Sequence, residues 1–226
     1  LSGAAPSYTN WNFTANGSTS PSDQYITTAF TDLAIDWIAG QSAPWLRWVA
    51  YTAPHSPFHL PPDNLHQQGD LPTDQASINA DPLPYFLAMI ESVDHEMGRL
   101  LRSLQPDVRA NTVVVFLGDN GTPAQVIQAP YFQNHAKGTL YEGGVRVPLV
   151  IAGPGVGRMG EIEPALVNTS DLFTTLVELT GHSLPTYHDS RSLVPLLSAP
   201  DLTVRSCAYT EVLGTDGGHA IRDERY

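Results

Sequence analysis

The sequence predicts an α/β fold: a largely parallel sheet with helices on both faces. Three observations carry this. Short apolar runs recur along the chain, at WLRWVAY (45–51), TVVVFLG (112–118), VPLVIAG (147–153) and SCAYTEV (206–212). Runs as continuous as TVVVFLG suit strands covered on both faces, where the in–out alternation of a half-exposed strand is lost. Segments with apolar residues at helical spacing fall between these runs, and interleaved strands and helices build a parallel sheet. The length of 226 residues supports one domain with a substantial core and is short for two.

Taken in order, residues 1–24 are rich in Ser, Thr, Asn, Gly and Pro and read as an irregular lead-in. Two N-glycosylation sequons fall there, at Asn12 and Asn16, in a motif that is frequent by chance. Residues 25–39 fit an amphipathic helix, with Phe30, Leu33, Ala34, Trp37 and Ile38 on one stripe. WLRWVAY, bounded by Pro44 and Pro54, reads as a buried strand. A Pro-rich loop runs from Thr52 to about Pro84. The next helix carries the clearest stripe, Phe86, Ile90, Val93, Met97, Leu100, Leu101 and Leu104, and stops before Pro106. TVVVFLG and VPLVIAG follow as central strands. DLFTTLVELTG (171–181) is a helix with Ser170 as its expected N-cap and Gly181 beyond its end. SCAYTEV closes the series as a strand, with Cys207 expected to be an inert core thiol.

Composition narrows the function classes. The net charge of -12, from 23 acidic and 11 basic residues, argues against nucleic acid or anionic membranes as partners. An anionic substrate would need local positive charge. One cysteine allows neither an internal disulfide nor a cysteine metal site. No apolar run reaches the roughly 18 residues of a membrane span, and LSGAAPSYTN has no signal-peptide pattern. Ten of the eleven cations are Arg; Lys137 is the sole lysine, and it stands beside a Gly-rich turn.

In an open α/β sheet, sites form beyond the carboxyl ends of the strands. After WLRWVAY comes Thr-Ala-Pro-His-Ser-Pro-Phe, with His55 between two prolines that stiffen the loop. A histidine held this way suits a ligand or acid/base role, and it equally fits a surface turn. After TVVVFLG come Asp119 and Asn120. Adjacent carboxylate and amide oxygens suit a hard cation such as Ca²⁺ or Mg²⁺, although Asp-Asn-Gly is also a common turn. Then HAKGTLYEGGVRVP (135–148) brings Lys137, Glu142, Gly143, Gly144 and Arg146. An ammonium about 4 Å from an anion, at an effective dielectric near 20, gains roughly 4 kcal/mol before desolvation. The glycine pair implies close backbone packing or positive φ, and Glu142 with Arg146 reads as an internal brace. Other motifs fail. There is no phosphate-binding G-x-x-x-x-G-K-[ST] loop, no complete nucleophile elbow at GHSLP (181–185), and no second His to make HEMGR (95–99) a zinc helix.

Together, YTAPHSPFHLPP, YFLAMIESVDHEMGRLL, VVVFLGDNGT, KGTLYEGGVRVPLVIAGPGV, NTSDLFTTLVELTG, SRSLVPLL and YTEV…AIRDERY resemble the formylglycine-dependent (type I) sulfatases of the alkaline-phosphatase superfamily. The resemblance spans most of residues 25–226. It implies an alkaline-phosphatase-like fold, present here as the C-terminal part of the catalytic domain, and hydrolysis of sulfate esters, with a sulfated glycan as the expected substrate. It implies that Asp119 and Asn120 ligate Ca²⁺ (or Mg²⁺), that Lys137 binds the sulfate, and that His55 contacts the ester and acts on the leaving group. Asp94 and Asp171 read as structural. The family nucleophile, a formylglycine made in a C/S-x-P-S-R motif, has no counterpart in these residues, and neither does the first Asp-Asp metal pair. The expectation is therefore a fragment whose N-terminal portion lies elsewhere and which is inactive alone. The alternatives are a phosphodiesterase or phosphonate monoester hydrolase of the same superfamily, or a glycan-binding module. A periplasmic or extracellular location is implied by the family.

Overall fold

The structure is a computed structural model and describes residues 7–184, 187–213 and 217–223. The chain falls into two compact units, Leu1–Arg109 and Ala110–Tyr226.

The first unit opens with a hairpin, β1 (Trp11–Ala15) and β2 (Ser18–Ser22), in antiparallel register from Trp11 opposite Ser22 to Ala15 opposite Ser18. Asn16 and Gly17 both have positive φ, 51° and 82°, as the two-residue turn that matches strand twist requires. Over residues 11–22 this hairpin corrects the irregular lead-in expected for residues 1–24, of which 1–6 lie outside the described residues. The polar composition hid the Asn-Gly turn and the inward alternation of Trp11 and Phe13, which pack on the core.

Helix α1 (Ile26–Ala39) lies on the long helix α3 (Leu83–Ser103), which is preceded by the short α2 (Gln75–Ala80) and a 3₁₀ turn at Asp63–Leu65. The core gathers Tyr8, Trp11, Tyr25, Ile26, Ala29, Ala53, Leu65, Met89 and Val93. The buried face of α1 is Ile26, Thr27, Ala29, Thr31 and Ala34, while Leu33 and Trp37 of the expected stripe are exposed. Polar groups decide this. Thr28 donates to Glu96 Oε1 at 2.9 Å, and Arg99 bridges Glu96 and Asp32 at 2.7 Å each. Glu96 is only 2% exposed, so it is held as a paired and hydrogen-bonded charge.

WLRWVAY is not a strand among the described residues. It runs without a ladder partner, and Trp48 and Leu46 are 76% and 64% exposed. An apolar run supplies the tendency to be buried, but a strand exists only where a neighbour takes its N–H and C=O groups.

A short helix, α4 (Pro106–Ala110), leads into the second unit. There β3 (Val114–Leu117) pairs with β4 (Leu149–Ala152) from Val114 opposite Ala152 to Leu117 opposite Leu149. The pairing is antiparallel, as is every strand pair among the described residues; the α/β class holds, while these pairs run antiparallel where parallel neighbours were expected. Parallel neighbours need a crossover that returns the chain to the starting end. The connection here holds only a 3₁₀ turn (Gln133–His135) and α5 (Glu142–Val145), and it comes back to the end it left, with Gly118 N donating to Pro148 O at 3.0 Å.

Helix α6 (Asp171–Leu179) is followed by α7 (Val194–Ser198) and a hairpin of β5 (Ala208–Val212) with β6 (Gly218–Arg222). The hub of this region is Asp171, 0% exposed. It accepts from the backbone N–H of Asn168 at 2.7 Å and of Arg191 at 2.8 Å, and pairs with the Arg205 guanidinium. Ser170 makes no capping bond; its backbone is already helical, and Asp171 does the capping work by accepting from Asn168 N. Cys207 is exposed, which corrects the expected core thiol: the in–out alternation begins at Ala208, one residue later. No helix among the described residues is long and apolar enough to cross a membrane.

Candidate active site

β3 ends in the sequence Gly118-Asp119-Asn120-Gly121-Thr122, and the loop carrying Lys137 closes directly onto it. Thr122 N donates to Gly143 O at 3.2 Å, and Lys137 N donates to Thr122 O at 2.9 Å. Gly121 is buried against the glycine pair so closely that a Cβ placed on it would lie 2.2 Å from Gly143 O and 2.6 Å from Gly144 Cα. Close approach, rather than positive φ, is what requires these glycines. The strand end and the loop of 135–146 thus form one locked cluster that carries Asp119, Asn120 and Lys137 together.

The three side chains share a second property. Asp119, Asn120 and Lys137 are exposed, and none makes a side-chain hydrogen bond or ion pair among the described residues. A carboxylate, an amide oxygen and an ammonium held on braced backbone, with no partner among the described residues, are groups of the kind a ligand can engage. Glu142 is different. It pairs with Arg146 at 3.5 Å and with Arg222 of β6, so it ties the loop to the second hairpin, as the expected brace does. The oxygens of Asp119 and Asn120 fit a hard cation in kind, but two donors are well short of the six to eight that Ca²⁺ takes. No group of three or more His, Cys, Asp or Glu suited to a metal occurs among the described residues.

His55 belongs to the first unit, so the expected set is divided between the two units. Its loop is held by backbone: Tyr8 Oη donates to His55 O at 2.7 Å, and His55 N donates to Thr52 O at 3.0 Å. Burial, reinforced by the neighbouring Tyr25 phenol, raises the Tyr8 pKa far above its ordinary value and keeps that hydroxyl a donor. The exposed imidazole faces Ser56 O with Nδ1 at 2.8 Å. A carbonyl only accepts, so Nδ1 carries the proton and Nε2 is left to a ligand. On the same loop His59 is packed against the rings of Tyr8 and Tyr25. Its Nδ1–H donates to Pro57 O at 3.0 Å and its Nε2 accepts from Tyr25 Oη at 3.1 Å. Burial lowers the His59 pKa against the opposing effect of the Pro57 carbonyl.

Residues such as Tyr8, which anchors the His55 loop, and Gly121, which seats one loop on another, carry no sequence signal for these contacts. Both depend on which distant backbone they meet.

Comparison with known proteins places the chain in context. The family model described as Sulfatase matches residues 3–182. An arylsulfatase from Klebsiella aerogenes is 25% identical over 71% of this chain and 52% of its own length. A sulfatase from Formosa agariphila is 31% identical over 72% of this chain and 31% of its own. The N-acetylgalactosamine-6-sulfatase of Canis lupus familiaris is 30% identical over 81% and 35%. The chain therefore spans between about a third and a half of these relatives. Among solved structures, that of Ps i-CgsB superposes with a TM-score of 0.78 at 24% identity, covering 93% of this chain and 47% of that one. That of BT4656 in complex with its substrate D-glucosamine-2-N,6-O-disulfate gives 0.73 at 18%, covering 96% and 62%. These likenesses show a shared sulfatase-type α/β fold.

Proposed function

Because this chain belongs to the sulfatase family, we propose that it supplies part of an active site that hydrolyses sulfate esters on a sulfated glycan. The observation that carries the reading is the locked cluster that carries Asp119, Asn120 and Lys137, whose side chains have no partners among the described residues. The dog relative, named for a sulfated amino sugar, supports a glycan substrate.

In this reading Asp119 and Asn120 hold a divalent cation, Ca²⁺ or Mg²⁺, together with ligands from outside these residues. Such a cation, when bound, neutralises charge on the sulfuryl oxygens. Lys137 places its ammonium on the same oxygens and stabilises the charge that grows on them as the ester bond breaks. His55 keeps Nδ1–H on Ser56 O and presents Nε2 to the departing alcohol oxygen; acting as the imidazolium it gives the Nε2 proton to that oxygen and is left neutral. The family's nucleophile is a formylglycine formed from Cys or Ser in C/S-x-P-S-R, and no such motif occurs in the 226 residues. Cys207 is followed by Ala-Tyr-Thr and does not serve. In this reading the nucleophile comes from chain outside these residues. A periplasmic or extracellular location belongs to the same family-based reading.

The test is a substrate panel on the intact parent protein: one alcohol presented as its sulfate ester, phosphonate monoester and phosphodiester. Sulfate is expected to be favoured in kcat/KM by about tenfold or more. Preference for the phosphodiester or phosphonate would replace this reading with a phosphoester hydrolase on the same fold.

A further inference from the structure

The loop that carries Lys137 also carries two largely exposed aromatic rings, Phe132 and Tyr141, grouped around a half-buried His135. His135 and Tyr141 are stacked, with centroids 3.6 Å apart and planes at 19°. Phe132 meets His135 edge-on at 5.9 Å and 86°, so its ring stands steeply to the stack. Phe132 is 66% and Tyr141 56% exposed. Their backbone is nonetheless fixed. His135 N donates to Phe132 O at 2.9 Å, Gly144 N to Tyr141 O at 2.7 Å, and Thr139 Oγ1 to Ala136 O at 2.8 Å, with Ala136 itself buried. Large rings exposed on an ordered loop form a preorganised surface, which lowers the ordering cost of binding.

We infer that Phe132, His135 and Tyr141 form a stacking platform for the sugar ring of the sulfated substrate. An aromatic face carries negative quadrupolar charge and attracts the weakly positive C–H bonds on the flat side of a pyranose. Lys137, two residues beyond His135, is the sole lysine in a chain of net charge -12, and it supplies the cation for the sulfate of the same ligand. An ammonium carried on the same loop as exposed rings suits an anionic sugar better than a bare inorganic anion. The inference rests on the sulfate-ester reading and adds the group that recognises the sugar.

The test uses the intact parent protein with Phe132→Ala and Tyr141→Leu, alongside Phe132→Tyr and Tyr141→Phe. The readouts are KM for a sulfated oligosaccharide, Ki for inorganic sulfate, which has no ring, and the melting temperature. Loss of either ring is expected to raise KM about tenfold, with the sulfate Ki held and the ring-keeping variants close to wild type. If KM and Ki move together with a fall in melting temperature, the rings are packing and the platform is wrong. If turnover is present and KM does not change, the platform alone fails. If no sulfate ester is hydrolysed by the wild type, the sulfate reading fails and the platform with it.

Discussion

A single missing Cβ sets the spacing of the candidate site. Gly121 touches Gly143 O and the Gly144 backbone, where a methyl group would overlap both. Gly121→Ala is expected to force the two loops apart and to lower stability by about 1–3 kcal/mol, the usual cost of overpacking, read as a denaturant midpoint. A wild-type midpoint would mean that the loops are not locked. His59 gives a second prediction at this scale. Its folded pKa lies below the 6.5 of the free side chain, because burial disfavours the charged form. The unfolded chain therefore binds the proton first. Stability is fully present above about pH 6.5, falls as pH drops from there through the folded pKa, and then levels off. His59→Gln is expected to flatten that limb of a melting-temperature profile. An unchanged limb would assign the acid sensitivity to other groups.

At the scale of elements, the second unit depends on one buried charge. Asp171 at the start of α6 is fully enclosed and is answered by Arg205 and two backbone N–H groups. Removing Arg205 leaves a carboxylate in the interior without a counter-charge. Arg205→Ala is expected to cost roughly 3–5 kcal/mol in chemical denaturation, and a loss within about 0.5 kcal/mol would show that water or another cation replaces it. The elements also show what the sequence displayed and what it withheld. Helices α3 and α6 were legible because helical spacing is a local property, but the buried face of α3 is rotated from the expected stripe: Ile90 is exposed, and Tyr85, Met89 and Glu96 are buried with Phe86 and Val93. That Asp119 and Asn120 follow the end of a strand was legible, because an apolar run marks where the strand stops. The antiparallel turn of β4 back onto β3 was not, because apolar runs state burial and say nothing of direction. WLRWVAY was misread for the same reason, and α1 because Thr28, Asp32, Glu96 and Arg99 set its rotation rather than its apolar residues.

At the scale of the whole molecule, the chain spans a third to a half of its relatives, and its two units each hold part of the proposed machinery. Two oxygen donors are too few to grip Ca²⁺. Calorimetry of the 226-residue chain is expected to show no tight Ca²⁺ binding, and a submicromolar affinity would mean that the remaining ligands lie within it. The most direct measurement is release of inorganic sulfate from a sulfated oligosaccharide by the intact parent protein, wild type against Lys137→Ala. Loss of that one preorganised charge is expected to lower turnover by about 10²–10³-fold. Turnover near the wild-type rate would contradict the assignment of Lys137, and with it the site built around Asp119 and Asn120.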